Sequence, residues 1–242
     1  ILLGDYRQCQ PIECDDTFHK ETTRDFNYQS AINYLTDYNR VDFDVFNPKA
    51  RYDKDLWNVS EEVFNGDLSS TQDLEIDFKE CDLVNATNIC YLNTTRKSIN
   101  KIVNEKLKPA DAVFLKCNDD DGQDAYLYEG LKVILSKTIK EKEDKIFSKN
   151  ETSTITKMEN DKLTIGDKYT FDLKDFHKVC LLGYATTIHK SQGDTCNGVI
   201  NIFNWRHSLM NGNLRYTAIT RATGLNNVKI INGFNETYAD PE

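Results

Sequence analysis

Two short apolar runs, Lys178 to Leu182 and Gly198 to Phe203, read as buried strands. Between them, from Gly183 to Thr195, lies the stretch GYATTIHKSQGDT, with threonines, a histidine, a lysine, a serine and a glutamine where a core would be expected. Polar groups at the end of a buried strand mark an α/β sheet, in which ligands gather at the carboxyl ends of the strands. Hydroxyls, a lysine point charge and backbone N–H groups near Gly193 are donors suited to phosphate. The stretch is not a P-loop, because His189 stands where a glycine must precede Lys190, and the spacing from Gly183 is one residue too long. No other stretch of the chain supplies one.

The rest of the chain supports an α/β reading. Ile1 to Leu3 is apolar and runs into a polar turn through Gly4, Asp5, Gln8 and Pro11; on its own this is an ordinary strand exit. An opening inside a strand suggests that the chain begins partway through a larger one. Tyr28, Ala31, Ile32, Leu35 and Tyr38 recur at helical spacing, and Val41 to Phe46 alternates as a strand. Arg51 and Tyr52 then open an amphipathic helix, where an arginine is mildly disfavoured by the helix dipole. Asn88 to Leu92 reads as a strand, followed by an Asn93-Thr94 cap and a helix with Ile99, Ile102, Val103 and Leu107 on one face. Free N–H groups at that helix start could seat a phosphate, or the side chains could simply cap it.

From Asn118 to Gly122 onward the chain turns highly charged, with short apolar runs at Leu131 to Leu135 and Lys168 to Phe171 and turns at Gly130 and Gly166. That pattern predicts a small antiparallel sheet or barrel. Lys137 to Lys149, rich in Lys and Glu, reads as a solvated hairpin or mobile loop. Farther on, Leu214 to Ala222 predicts a helix that aims Arg221 away from its apolar face, Val228 to Ile231 a last strand, and Asn235 to Glu242 a frayed tail.

A net charge of −9 excludes a uniformly basic coat for nucleic acid, though not a local basic groove. The seven cysteines are odd in number, scattered and without C-x-x-C pairing, which fits reduced thiols better than disulfides or zinc. No apolar run is long enough to span a membrane.

Taken in order, these features resemble superfamily 1 helicases. Gly4, Asp5, Gln8 and Pro11 resemble motif III, with Cys9-Gln10 in place of the usual Leu-Pro; Arg51-Tyr52 resembles motif IV. Asn93-Thr94 and Asn100 resemble motif IVa with the T-N pair inverted. Thr187 to Gly193 resembles motif V, "T-x-H-K-x-Q-G", and Tyr216, Ala218, Thr220, Arg221 and Ala222 resemble motif VI. The charged segment lies where superfamily 1B helicases of the RecD and Dda type insert a small barrel.

The resemblance implies an α/β fold: a RecA-like parallel sheet with helices on both faces, plus an inserted small β-barrel. Residues 1–40 would end a first RecA-like domain, 41–110 and 179–242 would form the second, and 111–178 the insert. It implies ATP-driven translocation on single-stranded DNA and unwinding at duplex junctions. Gln8, Arg51 and Arg221 would act on the γ-phosphate, with Gln192 and Gly193 also at the nucleotide; Asn93, Thr94, Thr187, His189, Lys190 and Ser191 would hold DNA. ATP and Mg²⁺ would be bound mainly by an N-terminal P-loop domain preceding Ile1, and the setting would be intracellular: cytoplasm, nucleus or a viral replication site. Two alternatives stand beside this: a superfamily 1 RNA helicase, and a non-catalytic nucleic-acid-binding module that kept the fold. Gln8, Arg51 and Arg221 argue against the second, since a pure binder needs no γ-phosphate sensors.

Overall fold

The computed structural model describes residues 7–8, 51–117, 122–141 and 144–234. The expected helix from Phe26 to Asn39, the strand from Val41 to Phe46, Gly4, Asp5 and Pro11 of the motif III match, and the tail from Asn235 lie outside the described residues.

Asp53 starts helix α1 (Lys54–Phe64) by accepting a hydrogen bond from the Leu56 N–H at 2.8 Å, a side-chain cap that replaces a missing helical partner. Strands β1 (Glu75–Asp77) and β2 (Thr87–Cys90) follow, then helix α2 (Asn93–Leu107). A charged region comes next, built from β3 (Val113–Leu115), β4 (Ala125–Leu127), β5 (Lys132–Leu135), β6 (Ile139–Glu141), β7 (Asp144–Phe147), β8 (Thr152–Glu159), β9 (Lys162–Ile165) and β10 (Tyr169–Asp172). The chain returns through α3 (Phe176–Val179), β11 (Cys180–Leu182), β12 (Ala185–Thr187), α4 (Ile188–Ser191), β13 (Ile200–Phe203), α5 (Gly212–Ile219) and β14 (Val228–Asn232).

Five strands make one sheet, ordered β1-β14-β13-β2-β12, and every pairing in it is parallel. Its sequences say why: INIF in β13 is buried at every position, as a strand covered on both faces must be. Alternate residues feed two cores. Ile89, Ile200, Ile202, Val228 and Ile230 pack with Leu56, Val63, Leu214 and Ala218 of α1 and α5. Cys90, Phe203, Ile231 and Ala185 pack with Ile99 and Val103 of α2. This is a RecA-like sheet with helices on both faces, as the resemblance implied.

The charged region folds mainly as a five-stranded sheet, ordered β10-β9-β8-β5-β11 and antiparallel throughout, with two separate hairpins, β3-β4 and β6-β7. An antiparallel sheet is one of the two forms the sequence pattern predicts; among the described residues β10 and β11 end its strand order. Two expectations change. The run from Lys178 is not one strand of the parallel sheet; Lys178 and Val179 close α3, and Cys180 to Leu182 pair antiparallel with β5. Nor is Lys137 to Lys149 merely a solvated segment, since Ile139 and Phe147 are 4 % and 3 % exposed and enter the core. Gly183 joins the two sheets, and a Cβ there would lie 2.9 Å from backbone atoms of Val133, so only glycine allows this approach.

Candidate nucleotide and nucleic-acid site

β12 ends at Thr187, whose hydroxyl accepts a 3.4 Å hydrogen bond from the Lys190 N–H and starts the four-residue helix α4. The Ser191 hydroxyl donates back to the Ile188 carbonyl at 2.8 Å and is buried. Of the four motif V residues proposed for DNA, then, Thr187 and Ser191 serve the helix itself, while His189 is exposed and Lys190 half-exposed. Gln192 follows, and Gly193 at φ +96° turns the chain into the exposed segment Asp194-Thr195. Open space surrounds Gly193, so its left-handed backbone, not crowding, calls for glycine.

The neighbouring strand presents the second group. Thr187 pairs in register with Cys90, so α2 starts beside α4 at the same end of the sheet. Asn93 and Thr94 lie exposed in its first turn. The helix is capped at Leu92 with no side-chain hydrogen bond, so the Asn93-Thr94 cap expected from the sequence does not form. The Asn93 side-chain Oδ1 instead accepts from Arg96 Nε at 3.2 Å. Asn100, grouped by resemblance with these two, is fully buried: its Oδ1 accepts from the N–H groups of Tyr184 and Ala185 at 3.0 and 2.9 Å. It clamps α2 to the strand that leads into α4. Sequence reading missed Asn204, which accepts from Leu92 N–H and donates to Thr95 Oγ1 at 3.0 Å. Its left-handed backbone, φ +61°, is one that asparagine tolerates, so an Asn directly after a buried strand was the available signal.

The arginines meet at the loop after α4. Arg51 Nη1 donates to the Asp194 carbonyl at 3.3 Å and to Thr195 Oγ1 at 2.9 Å; its Nη2 donates to the Thr220 carbonyl at 2.7 Å. Arg221 Nη1 donates to the same Asp194 carbonyl at 3.0 Å, and its Nε to the Thr217 carbonyl at 2.9 Å. Arg221 differs from expectation in two ways. α5 ends at Ile219, so Arg221 lies beyond the helix, and at 1 % exposure its guanidinium is folded back onto the helix end and not free in a cleft. Burial pushes the Asp194 carboxyl up from its ordinary value, against the pull of Arg221. Gln8 joins the group: Gln192 Nε2 donates to Gln8 Oε1 at 3.2 Å, and Asn213 Nδ2 to the Gln8 carbonyl at 3.1 Å.

A cavity of about 340 Å³ opens between β12-α4 and the antiparallel sheet, with Lys132, Lys190, Thr186 and Thr195 on its wall beside Glu151 and Asp194. Another, about 430 Å³, lies elsewhere, and on its wall Asp111, Glu129, Glu159 and Asp161 outnumber Lys162, a balance of charge that disfavours phosphate. Among the described residues no group of three or more His, Cys, Asp or Glu is placed to hold a metal ion.

Residues 182–228 match the UvrD-like helicase C-terminal domain. The fold agrees with that helicase match. The Pif1 helicase from Candida albicans superimposes with a TM-score of 0.57 at 14% identity, covering 99% of this chain and 65% of that one. Bacteroides Pif1 bound to ssDNA gives 0.53 at 18% identity, covering 80% of this chain and 52% of that one. A Bacteroides Pif1 in complex with ADP-AlF3 and ssDNA gives 0.54 at 18% identity, with the same coverage. The chain thus spans about half to two thirds of the length of these helicases. No curated protein sequence matches it significantly. No described helix is long and apolar enough to cross a membrane.

Proposed function

We propose that this chain is the C-terminal part of a superfamily 1B DNA helicase, in which ATP hydrolysis drives movement along single-stranded DNA and separation of duplex at junctions. One observation carries the reading: Arg51, Arg221, Gln192 and Gln8 converge on a loop that directly follows the helix bearing His189 and Lys190. Four residues, Gln192 to Thr195, join groups suited to a γ-phosphate to groups suited to a DNA phosphate. A change at one end of so short a segment reaches the other.

In this reading ATP binds against the loop, with its β- and γ-phosphates and Mg²⁺ held by a P-loop domain of the same protein. Arg51, exposed and bonded to oxygens of Asp194, Thr195 and Thr220, swings to the γ-phosphate, and Gln8 senses it. An arginine placed there contributes roughly a thousandfold in rate. Arg221, already buried, acts by holding the Asp194 carbonyl and releasing it when the cleft closes. Lys190, His189 and the uncapped start of α2 at Asn93 and Thr94 grip backbone phosphates, a contact indifferent to base sequence. The chain contains no G-x-x-x-x-G-K-[ST] and by itself should be a poor ATPase. The protein would be of the RecD and Dda type and would work in the cytoplasm, nucleus or a viral replication site. Burial pushes the Cys81 and Cys180 thiols up to about 12, so neither is poised for redox chemistry at neutral pH.

The test is ATP turnover by the intact protein with single-stranded DNA, with RNA of the same sequence, and with neither. Stimulation by DNA at least tenfold above RNA is expected. Equal stimulation would favour the RNA helicase reading, and tight binding without turnover would favour a non-catalytic module.

A further inference from the structure

Segment 51–53 is tied at both of its ends to the chain that leaves α5. At one end Arg51 Nη2 donates to the Thr220 carbonyl at 2.7 Å. At the other, the Asp53 N–H donates to the Thr223 carbonyl at 3.2 Å, and Asp53 Oδ2 accepts from the Leu225 N–H at 3.2 Å. Tyr52, between them, packs on the core that also receives Leu225, and the Arg51 guanidinium lies 5.7 Å from the centroid of its ring. The same stretch after α5 is held by segment 194–196 as well. There the Cys196 N–H donates to the Arg221 carbonyl at 2.8 Å, and Cys196 bridges Ala222 in parallel. Arg51 reaches that segment too, through the Asp194 carbonyl and Thr195 Oγ1.

Capping α1 does not account for Asp53. A cap needs one oxygen, and Oδ1 supplies it to the Leu56 N–H at 2.8 Å; a serine, threonine or asparagine would serve as well. Oδ2 is left over, and it is the oxygen turned onto Leu225. Gly224 leaves room for it. A Cβ there would lie 2.7 Å from Oδ2, although the Gly224 backbone, at φ −159° and ψ 152°, is extended and open to any residue. Crowding by the carboxylate, and not backbone conformation, calls for glycine at this turn.

We propose that Asp53 is a positioning residue: its second carboxylate oxygen clips the backbone that carries Arg51 to the turn after Arg221, so that Arg51 is aimed at the γ-phosphate from a fixed base. The inference rests on the role given to Arg51 above and adds what holds it in aim. An arginine side chain is long and flexible, and a misplacement of about 1 Å at a reacting centre can cost ~100-fold in rate.

ATP turnover with saturating single-stranded DNA would be measured on the intact protein for the parent, Asp53→Asn, Gly224→Ala, Arg51→Ala and the pair Arg51→Ala with Asp53→Asn, each with its melting temperature. Asparagine keeps one oxygen for the cap but presents an amide NH₂ where Leu225 needs an acceptor. Asp53→Asn should lower kcat roughly tenfold to a hundredfold, with KM for ATP and the melting temperature nearly unchanged. Gly224→Ala, which displaces the carboxylate from the other side, should do the same. In the Arg51→Ala background Asp53→Asn should cost nothing further, because a residue that acts through Arg51 has nothing left to aim. Loss by the same factor in both backgrounds, or a kcat that falls only together with the melting temperature, would overturn the clip. So would parent-like turnover in both Asp53→Asn and Gly224→Ala while Arg51→Ala is impaired. Full turnover in Arg51→Ala would instead sink the γ-phosphate reading, and the clip with it.

Discussion

Two groups of polar side chains, one within and around the parallel sheet and one at its carboxyl end, do opposite things. Asn88, Asn100 and Asn201 are each at most 1 % exposed. Asn88 donates to the Leu83 and Tyr184 carbonyls, Asn201 to Asp82 and to Asn88 Oδ1, and Asn100 closes on Tyr184 and Ala185. Every one of these bonds fixes backbone or another amide, and none faces solvent. Arg51, Gln192 and Thr195 are exposed, and they meet at a turn. Buried polar groups must be satisfied in place, so they specify architecture. Exposed ones that converge without need are available to a ligand. Arg221 stands between the two: as buried as an amide of the first group, yet bonded to the carbonyl that Arg51 also holds.

The sharpest way to break this contrast is at the two arginines. Arg51→Ala should lower DNA-stimulated ATP turnover of the intact protein by about a thousandfold, or ~4 kcal/mol in the barrier. Its melting temperature should barely move, since exposed substitutions cost little. Arg221→Lys keeps the charge but loses the planar fork that reaches Thr217 and Asp194 together. Both turnover and melting temperature should fall. If Arg221→Lys lost turnover with full stability while Arg51→Ala retained it, the two roles assigned here would be exchanged.

Charge in the sequence misleads in the same way as polarity does. Lys137 to Lys149 carries lysines and acids throughout, yet Phe147 is 3 % exposed and packs in the core with Ile139. Phe147→Ala should destabilise by about 3 kcal/mol or more, read from urea unfolding. A solvated hairpin would show no such loss, and a deletion of the whole segment would then be tolerated.

Asn100 tests the first group directly. Asn100→Leu keeps the volume but strands two N–H groups, of Tyr184 and Ala185, without water to replace the bonds. A cost of about 2 to 3 kcal/mol in unfolding is expected. Because the clamp joins α2 to β12, DNA affinity should weaken only as far as stability falls. A large loss of affinity at full stability would move Asn100 into the ligand group.

How much of this was legible follows from the same distinction. Strands β2, β13 and β14, both helix faces and the motif V turn are readable because apolar periodicity reports burial directly. Arg51 and Gln192 were readable as candidates because their types suit phosphate and they fall at element ends. The orientation of Arg221 was not, since it depends on where α5 stops, and Thr220 ends that helix by turning its hydroxyl onto the Tyr216 and Thr217 carbonyls. Ser191 misled likewise: a serine hydroxyl suits a phosphate or its own helix equally, and only the 2.8 Å bond to Ile188 decides. β11 misled because three apolar residues fit either sheet, and the choice was made by pairing with β5 far away in the chain.

The smallest effect bears on the exposed group. Lys190 belongs to α4, whose other polar side chains, Thr187 and Ser191, are already used within the helix, so it and His189 carry most of what motif V can offer a strand. A lysine that neutralises one phosphate releases the counterion condensed there, which makes affinity depend on salt. Lys190→Ala should therefore weaken single-stranded DNA binding several-fold at low salt, equally for all sequences. It should also flatten the plot of log affinity against log salt by about 0.7, the share of one phosphate on a single strand. Parallel lines for the parent and Lys190→Ala would remove Lys190 from the phosphate ligands and leave the grip to His189 and the start of α2.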